Sequence, residues 1–529
     1  MPTAPRPPVI AVLPLATFVA AIAVFVWLWI DYREYWLDDA FITFRYARNL
    51  AEGLGPVYNA GERVEGYTSP LWMLIAAVPF ALTSAANALW AVKVTALAVS
   101  VWTLYRIFTF PSPVGPARRY WVVVLATQPV FILNCGDGME TPLFMVLMVE
   151  CLVAFQRPPS RASGVVVGVA TAGMILTRPE ALPLLLALPA LLWFAHRGDS
   201  SQKSAQREWL VAFVIAGLVP VVLHEAWRWG YYGHAFPNTY YAKATGDQLV
   251  RLSSGMRDLG RFVGSNPWRP PVAIWFASAF ACFATVRLTA RARGGSAPNP
   301  ALIRWLGALW LMIGFRLSFD LWSGSDAMGR HRFLVPLLLP LVVLADEGLR
   351  MALRGRGRAV IGCVAAVVFG MSLYFNITGH MNHEWAASHY RRGLANAHIK
   401  LGHWLSERYP AHTVVAVGDA GAVPFFSQMT SVDMWGLNDG TIAHMPGEYG
   451  LREGMSDYVF SRDPGVVVLW NRESFLEVPV GKIFGGTELD LQLARHPAFE
   501  RDYRFVREFV FRKHSDELPG YYLDVFEKK

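Results

Sequence analysis

The stretch Trp36-Leu37-Asp38-Asp39-Ala40-Phe41-Ile42-Thr43-Phe44-Arg45-Tyr46-Ala47-Arg48-Asn49-Leu50 decides how this chain is read. It follows an apolar run, Val9–Ile30, that reaches the roughly 20 residues needed to cross a bilayer as a helix. At helical spacing Phe41, Phe44, Ala47 and Ala51 form an apolar stripe, suited to lying along a membrane surface. Asp38, Arg45 and Asn49 fall together on another face. Neighbouring positions on a helix differ by about 100°, so Asp38 and Asp39 face different surroundings. One carboxylate can reach into a cleft while the other orients it or caps the helix. A lone Asp at this point would read as an N-cap. Two acids at a membrane exit, with Arg45 and Arg48 beside them, point instead to chemistry.

Working outward, composition sets the class. Of 529 residues, 54% are hydrophobic and only 17% charged, and mean hydropathy is +0.31. A soluble protein carries nearer 25% charge. The 20 Trp and 32 Phe are the aromatics that polytopic proteins place at bilayer interfaces. The chain is an integral membrane protein, not a disordered chain, a disulfide scaffold or an ordinary cytosolic enzyme. The net charge of +8 could suggest nucleic acid, but the basic residues cluster in short loops between apolar runs, as the positive-inside rule expects. Cys135, Cys151, Cys282 and Cys363 show no metal-binding spacing, and none follows in the polar C-terminal region. Val9–Ile30 is too long for a signal-peptide core and lacks a small-residue cleavage site, so it reads as a retained anchor.

Further apolar runs lie at 70–83, 86–109, 120–134, 141–156, 162–177, 180–195, 209–223, 271–286, 301–319, 333–345 and 359–375. Pro70–Thr83 is short and has Pro near both ends. If it lies in the interface instead of crossing, every basic loop falls on one side, from Arg118–Arg119 through Arg157–Arg161 and Arg287–Arg293 to Arg350–Arg358. The expectation is about eleven transmembrane helices in a domain at 1–377, N-terminus inside, with a C-terminal extracytoplasmic α/β domain at 378–529. The outer loops then hold most of the acids, and the first of them is 31–83. In the tail a polar helix, Tyr390–Glu407, precedes strand-like runs at Thr413–Val417, Thr430–Met434, Gly465–Trp470, Phe505–Phe511 and Tyr522–Phe526. The turn Gly418-Asp419-Ala420-Gly421 lacks dinucleotide-site spacing.

Several outer residues are candidates for lining a cleft. Glu65 and Tyr67 direct a carboxylate and a phenol toward the interface, while the nearby Gly and Asn residues read as turn formers. Asp137 and Glu140 sit in one short turn, Arg178 and Glu180 in another, where Glu140 and Glu180 can also cap the next helix. Asp320 and Asp326 invite a divalent-cation reading with Asp38, although their spacing specifies no metal site.

The Asp38–Asp39 pair, the stretch from Arg45 to Trp72 and the outward tail resemble the GT-C glycosyltransferases, polytopic enzymes that take a sugar from a polyprenyl-phosphate carrier. The likeness is strongest to the terminal β-1,2-arabinofuranosyltransferases of the actinobacterial cell wall. It extends through Gly136-Asp137-Gly138-Met139-Glu140-Thr141, Thr177-Arg178-Pro179-Glu180, Asn238-Thr239-Tyr240-Tyr241-Ala242-Lys243, Arg330-His331-Arg332-Phe333, Gly418–Gly421 and Asp433-Met434-Trp435-Gly436-Leu437-Asn438-Asp439. The resemblance implies a GT-C fold in a bacterial plasma membrane, with its active site facing outward and no nucleotide.

It also implies inverting transfer of a sugar to a cell-envelope glycan. By position in the family pattern Asp38 is the base, with Asp39 as its orienter or the second candidate, and Arg45 belongs to the substrate site. Arg330, His331, Arg332 and Lys243 are the candidates for holding phosphate, Arg as a bidentate fork and Lys as a point charge. Headgroup snorkelling is the plain alternative for Arg330–Arg332, and a solvated loop position for Lys243. Asp326 joins the substrate-binding group, and Trp435 is expected to help hold the glycan. Some GT-C relatives use a divalent cation. A related transferase acting on protein or lipid A shares this chemistry. A transporter would instead place charges at the bilayer midplane and show internal repeats.

Overall fold

The computed structural model describes residues 9–112, 121–197, 200–244, 247–264, 283, 285, 300–324, 331–354, 358–475, 486–512 and 520–529. The protein is a helical membrane protein with a C-terminal α/β domain. It divides into two compact units. One comprises Met1–Arg33, Lys93–His224 and Gln248–Glu384; the other comprises Glu34–Val92, Glu225–Asp247 and Trp385–Lys529. The second unit therefore gathers the first outer loop and a short later segment with the tail.

Among the described residues five helices are long and apolar enough to cross a membrane: Ala85–Phe108, Pro179–His196, Lys203–Tyr232, Pro300–Ser323 and Arg358–Met381. Shorter apolar helices are Leu15–Asp31, Pro70–Leu82, Thr141–Phe155 and Arg161–Thr177. The expected run at 271–286 lies outside the described residues. The run at 120–134 is two short helices, Trp121–Ala126 and Pro129–Asn134, because Pro129 holds Gln128 in extended backbone. Pro70–Leu82 has 13 residues, about 20 Å at 1.5 Å per residue, well short of the roughly 30 Å hydrocarbon core.

In the second unit, helix α1 (Asp38–Ala51) begins with both acids in its first turn and ends with Arg48 in its last, as the helix dipole favours. Expected on the membrane surface, it is instead buried along most of its length, Ala40 through Asn49 without a break. Phe41 packs on Phe425 and Phe426 with ring centroids 5.3 and 5.4 Å away, and Phe44 packs on Phe80. Burial of the polar face is tolerated because Arg45 and Asn49 find acceptors there.

The tail folds as a five-stranded sheet over a continuous apolar core. Strands β1 (Val415–Val417), β2 (Ser431–Asp433) and β5 (Val466–Asn471) are mutually parallel in the order β2-β1-β5. The antiparallel pair β6 (Tyr503–Arg512) and β7 (Tyr521–Lys528) extends the sheet beyond β5. All five fall on strand-like runs expected from the sequence. The small hairpin of β3 (Gly447–Glu448) and β4 (Leu451–Arg452) was not expected. The turns Gly418–Gly421 and Met434–Asp439 both leave the carboxyl ends of parallel strands, the edge where open α/β sheets bind ligands.

Candidate active site

Asp38 is where the first outer loop meets the tail. Its Oδ2 accepts the Gly421 amide at 3.1 Å and its Oδ1 the Ala422 amide at 2.8 Å. These are among the free amides that open the short helix Ala422–Ser427. A side chain at position 421 would place its Cβ 2.1 Å from the Asp38 carbonyl oxygen and 2.4 Å from Oδ2, so only glycine fits. The Tyr58 hydroxyl donates to the Ala420 carbonyl at 2.6 Å and fixes the same turn. Burial pushes the Asp38 carboxyl up to about 6; the nearby His398 opposes the shift, and Asp419 adds to it.

His398 lies in a π-helical turn, Ala395–Ile399, an insertion that is enriched at functional sites. Its Nε2 is 2.7 Å from Asp419 Oδ2 and 3.4 Å from the Tyr521 hydroxyl. Burial works against the imidazolium, but Asp419 outweighs it and, with Asp38, holds the imidazole above its usual range. The Asp419 side chain remains about 35% exposed. Asp39 is half-buried, close enough to Asp38 to raise its carboxyl further. The Tyr449 phenol, raised first by burial, feels Asp433, Asp39 and Asp419. Its ring packs on Trp435 at 4.9 Å, with the Lys243 ammonium 5.9 Å from its centroid. One acidic centre thus contains Asp38, Asp39, His398 and Asp419. Among the described residues no three His, Cys, Asp or Glu side chains are grouped to hold a metal ion.

The other expected residues of this unit serve its architecture. Arg45 donates to the carbonyls of Tyr58, Met429 and Pro424 and to Asn59 Oδ1, so its guanidinium is committed to the protein and not presented to a substrate. Glu65 forms a bidentate ion pair with Arg228 at 2.7 and 3.3 Å. The buried Tyr67 hydroxyl lies 3.1 Å from that of Tyr232. Asn238, from the first residue of the Asn238–Lys243 motif, donates to the carbonyls of Gly436, Leu437 and Asp439. Asp433 builds that same turn by accepting amides from Trp435 and Asn438.

In the first unit, Glu140, Arg178 and Glu180, expected to line a cleft, pair with one another. Arg178 pairs with Glu140 at 2.8 Å and lies 3.7 Å from Glu180, which pairs with Arg316 at 2.8 Å. Two cations meet two anions, so this ladder carries no spare charge. Arg316 went unread in the sequence, although a cation within the apolar run 301–319 is itself a signal. Asp137 accepts the Met139 amide at 2.9 Å. Burial raises its carboxyl to about 7, with Glu140 adding and Arg332 and Lys93 opposing. His331 adopts a left-handed backbone, φ 52°, and its Nδ1 is 3.0 Å from Asp258 Oδ1. Arg332 stacks over Phe333 at 5.4 Å. Arg330 and Asp326 lie outside the described residues.

Solved structures share this architecture. An oligosaccharyltransferase from Archaeoglobus fulgidus, AglB in complex with an inhibitory peptide and a dolichol-phosphate, superposes with a TM-score of 0.60 over 94% of this chain and 79% of its own, at 11% identity. ArnT from Cupriavidus metallidurans, bound to undecaprenyl phosphate, gives 0.53 over 96% and 97%, at 13% identity. The chain has a GT-C fold. Within that fold, the terminal β-(1→2)-arabinofuranosyltransferase of Corynebacterium glutamicum is 24% identical over 403 residues, 70% of this chain and 56% of that protein. Its namesake from Mycobacterium tuberculosis is 30% identical over 282 residues, 49% of this chain and 41% of that protein. The chain thus spans about half the length of these relatives. Residues 383–525 of the GT-C chain match a domain of unknown function, DUF8728.

Proposed function

We propose that this protein is an inverting membrane glycosyltransferase of a bacterial plasma membrane. It moves a sugar, arabinofuranose in the reading that its relatives favour, from a polyprenyl phosphate to a cell-envelope glycan on the outer face. The observation that carries this reading is the buried Asp38 carboxylate, raised to about 6 and fixed by two amides beside Asp39, Asp419 and His398. A general base works best with a pKa near the operating pH. Asp38 takes the acceptor hydroxyl proton as the oxygen attacks the anomeric carbon from the face opposite the phosphate. Polyprenyl phosphate leaves, and Arg330, His331, Arg332 and Lys243 are the cations proposed to neutralise it. The ligands bound to AglB and ArnT, dolichol-phosphate and undecaprenyl phosphate, support a lipid-phosphate donor.

Asp39 is a second candidate for the base, favoured by its greater exposure and by the amides that occupy both Asp38 oxygens. The deciding assay offers polyprenyl-phosphoryl arabinose, mannose and glucose, with envelope glycan as acceptor, to purified protein in lipid. Asp38→Asn is expected to lower turnover by roughly 10²–10⁴, the usual worth of a general base. A folded Asp38→Asn enzyme with full activity, and an Asp39→Asn enzyme without any, would move the role to Asp39. Transfer to protein or lipid A in place of glycan would reassign the acceptor. Vesicle uptake of substrate without transfer would make the protein a transporter.

A further inference from the structure

A second feature of the tail lies outside the acid–base centre but shares a residue with it. At the carboxyl ends of β1 and β5 an open cleft of about 190 Å³ is lined by Asp419, Trp435, Trp470, Thr487, Asp490 and Leu523, among others. It is smaller than the roughly 300–1,000 Å³ of drug-sized ligand sites, which suits a single ring. Its walls are built. The Asp490 carboxylate accepts the Trp470 amide at 2.9 Å and also takes the Thr487 hydroxyl. The Trp470 indole lies over Gly486, where any side chain would collide with it, and packs on Tyr521 at 5.0 Å. Trp435 lies against Gly418, 3.3 Å from where a Cβ would stand.

The lining chemistry narrows the ligand. Among the described residues the lining includes no Lys, Arg or His. Two half-buried indoles line it, and the partly exposed Asp419 carboxylate offers an acceptor for hydroxyl hydrogens. That combination recognises a neutral polyhydroxylated ring, with C–H groups on an indole and hydroxyls on a carboxylate. Asp419 also belongs to the cluster around Asp38, so a ring held here is linked to the base through one side chain.

We infer that this cleft is the binding site for a terminal sugar ring of the glycan acceptor, with Trp470 as an anchoring wall and Asp419 as the hydroxyl acceptor. This rests on the transferase reading above and adds to it the place and class of the acceptor. The test uses full-length protein in lipid nanodiscs, with a short arabinofuranose oligosaccharide as probe and a mannose oligosaccharide as comparison. Saturation-transfer NMR reads binding without donor, and the transfer assay reads acceptor KM separately from kcat. Trp470→Ala is expected to weaken probe binding and raise acceptor KM by about tenfold with little change in kcat, the loss of about 1.4 kcal/mol. Trp470→Phe should recover most of the loss, and thermal unfolding confirms that both variants fold. Wild-type binding of the probe by folded Trp470→Ala, or no probe binding by wild-type protein, would overturn the inference. Probe binding that depends on Trp470, in protein that transfers no sugar, would leave the cleft standing and remove the proposed reaction.

Discussion

Asp38 has an unusual pair of obligations: it caps a turn of the tail and it is the proposed base. Its raised carboxyl gives the second role a pH signature. A base acts when ionised, so kcat/KM should be flat above pH 6 and fall about tenfold per unit below it. Asp38→Asn should abolish that acid limb along with most of the rate; an unchanged limb in this variant would assign it to another group. His398 acts on Asp38 through its charge. In His398→Gln the midpoint of the acid limb should move upward, because the imidazolium is the charge that holds Asp38 down. A simple loss of folding would lower the active fraction without moving the midpoint. The acidic pair itself was legible in the sequence, since two acids at a membrane exit are conspicuous. His398 was not, because a π-helical turn leaves no mark in a 3.6-residue periodicity. Arg45 was misread for a related reason: its partners are carbonyls of Pro424 and Met429, and no side-chain pattern announces a carbonyl.

Turns and helix ends show how elements turn motifs into geometry. Gly418–Gly421 and Met434–Asp439 look like isolated glycine-rich turns in sequence, yet each docks on a distant motif, the first on Asp38 and the second on Asn238. Gly421→Ala adds one methyl group, yet should cost nearly as much activity as Asp38→Asn, because its Cβ would displace the carboxylate; a fully active Gly421→Ala enzyme would show that Asp38 need not stand where it does. The buried ladder from Glu140 to Arg316 makes a separate prediction. Arg316→Met leaves Glu180 short of a partner and should destabilise the folded protein by about 3–5 kcal/mol, read by thermal unfolding in detergent, while Arg316→Met with Glu180→Gln should recover part of it. All five sheet strands were readable as strand-like runs in the sequence. The span at 120–134 was not, because hydropathy does not register the break that Pro129 makes.

For the whole molecule, the distribution of basic residues sets an orientation that can be checked directly. On a cysteine-free background, Asp457→Cys in the tail should react with an impermeant maleimide in intact cells, whereas Lys203→Cys should react only after the membrane is opened. The reverse pattern would invert the topology and place the acidic centre in the cytoplasm.

The bonds of Arg45 also have a history in time. Its guanidinium reaches the Pro424 and Met429 carbonyls 379 and 384 residues along the chain. At about 5–20 residues per second, a ribosome takes roughly 20–80 s to make that much chain. Throughout that interval Arg45 lacks these two carbonyls and Asp38 lacks the Gly421 and Ala422 amides. A chain truncated before residue 421 would therefore carry the proposed base without the amides that position it.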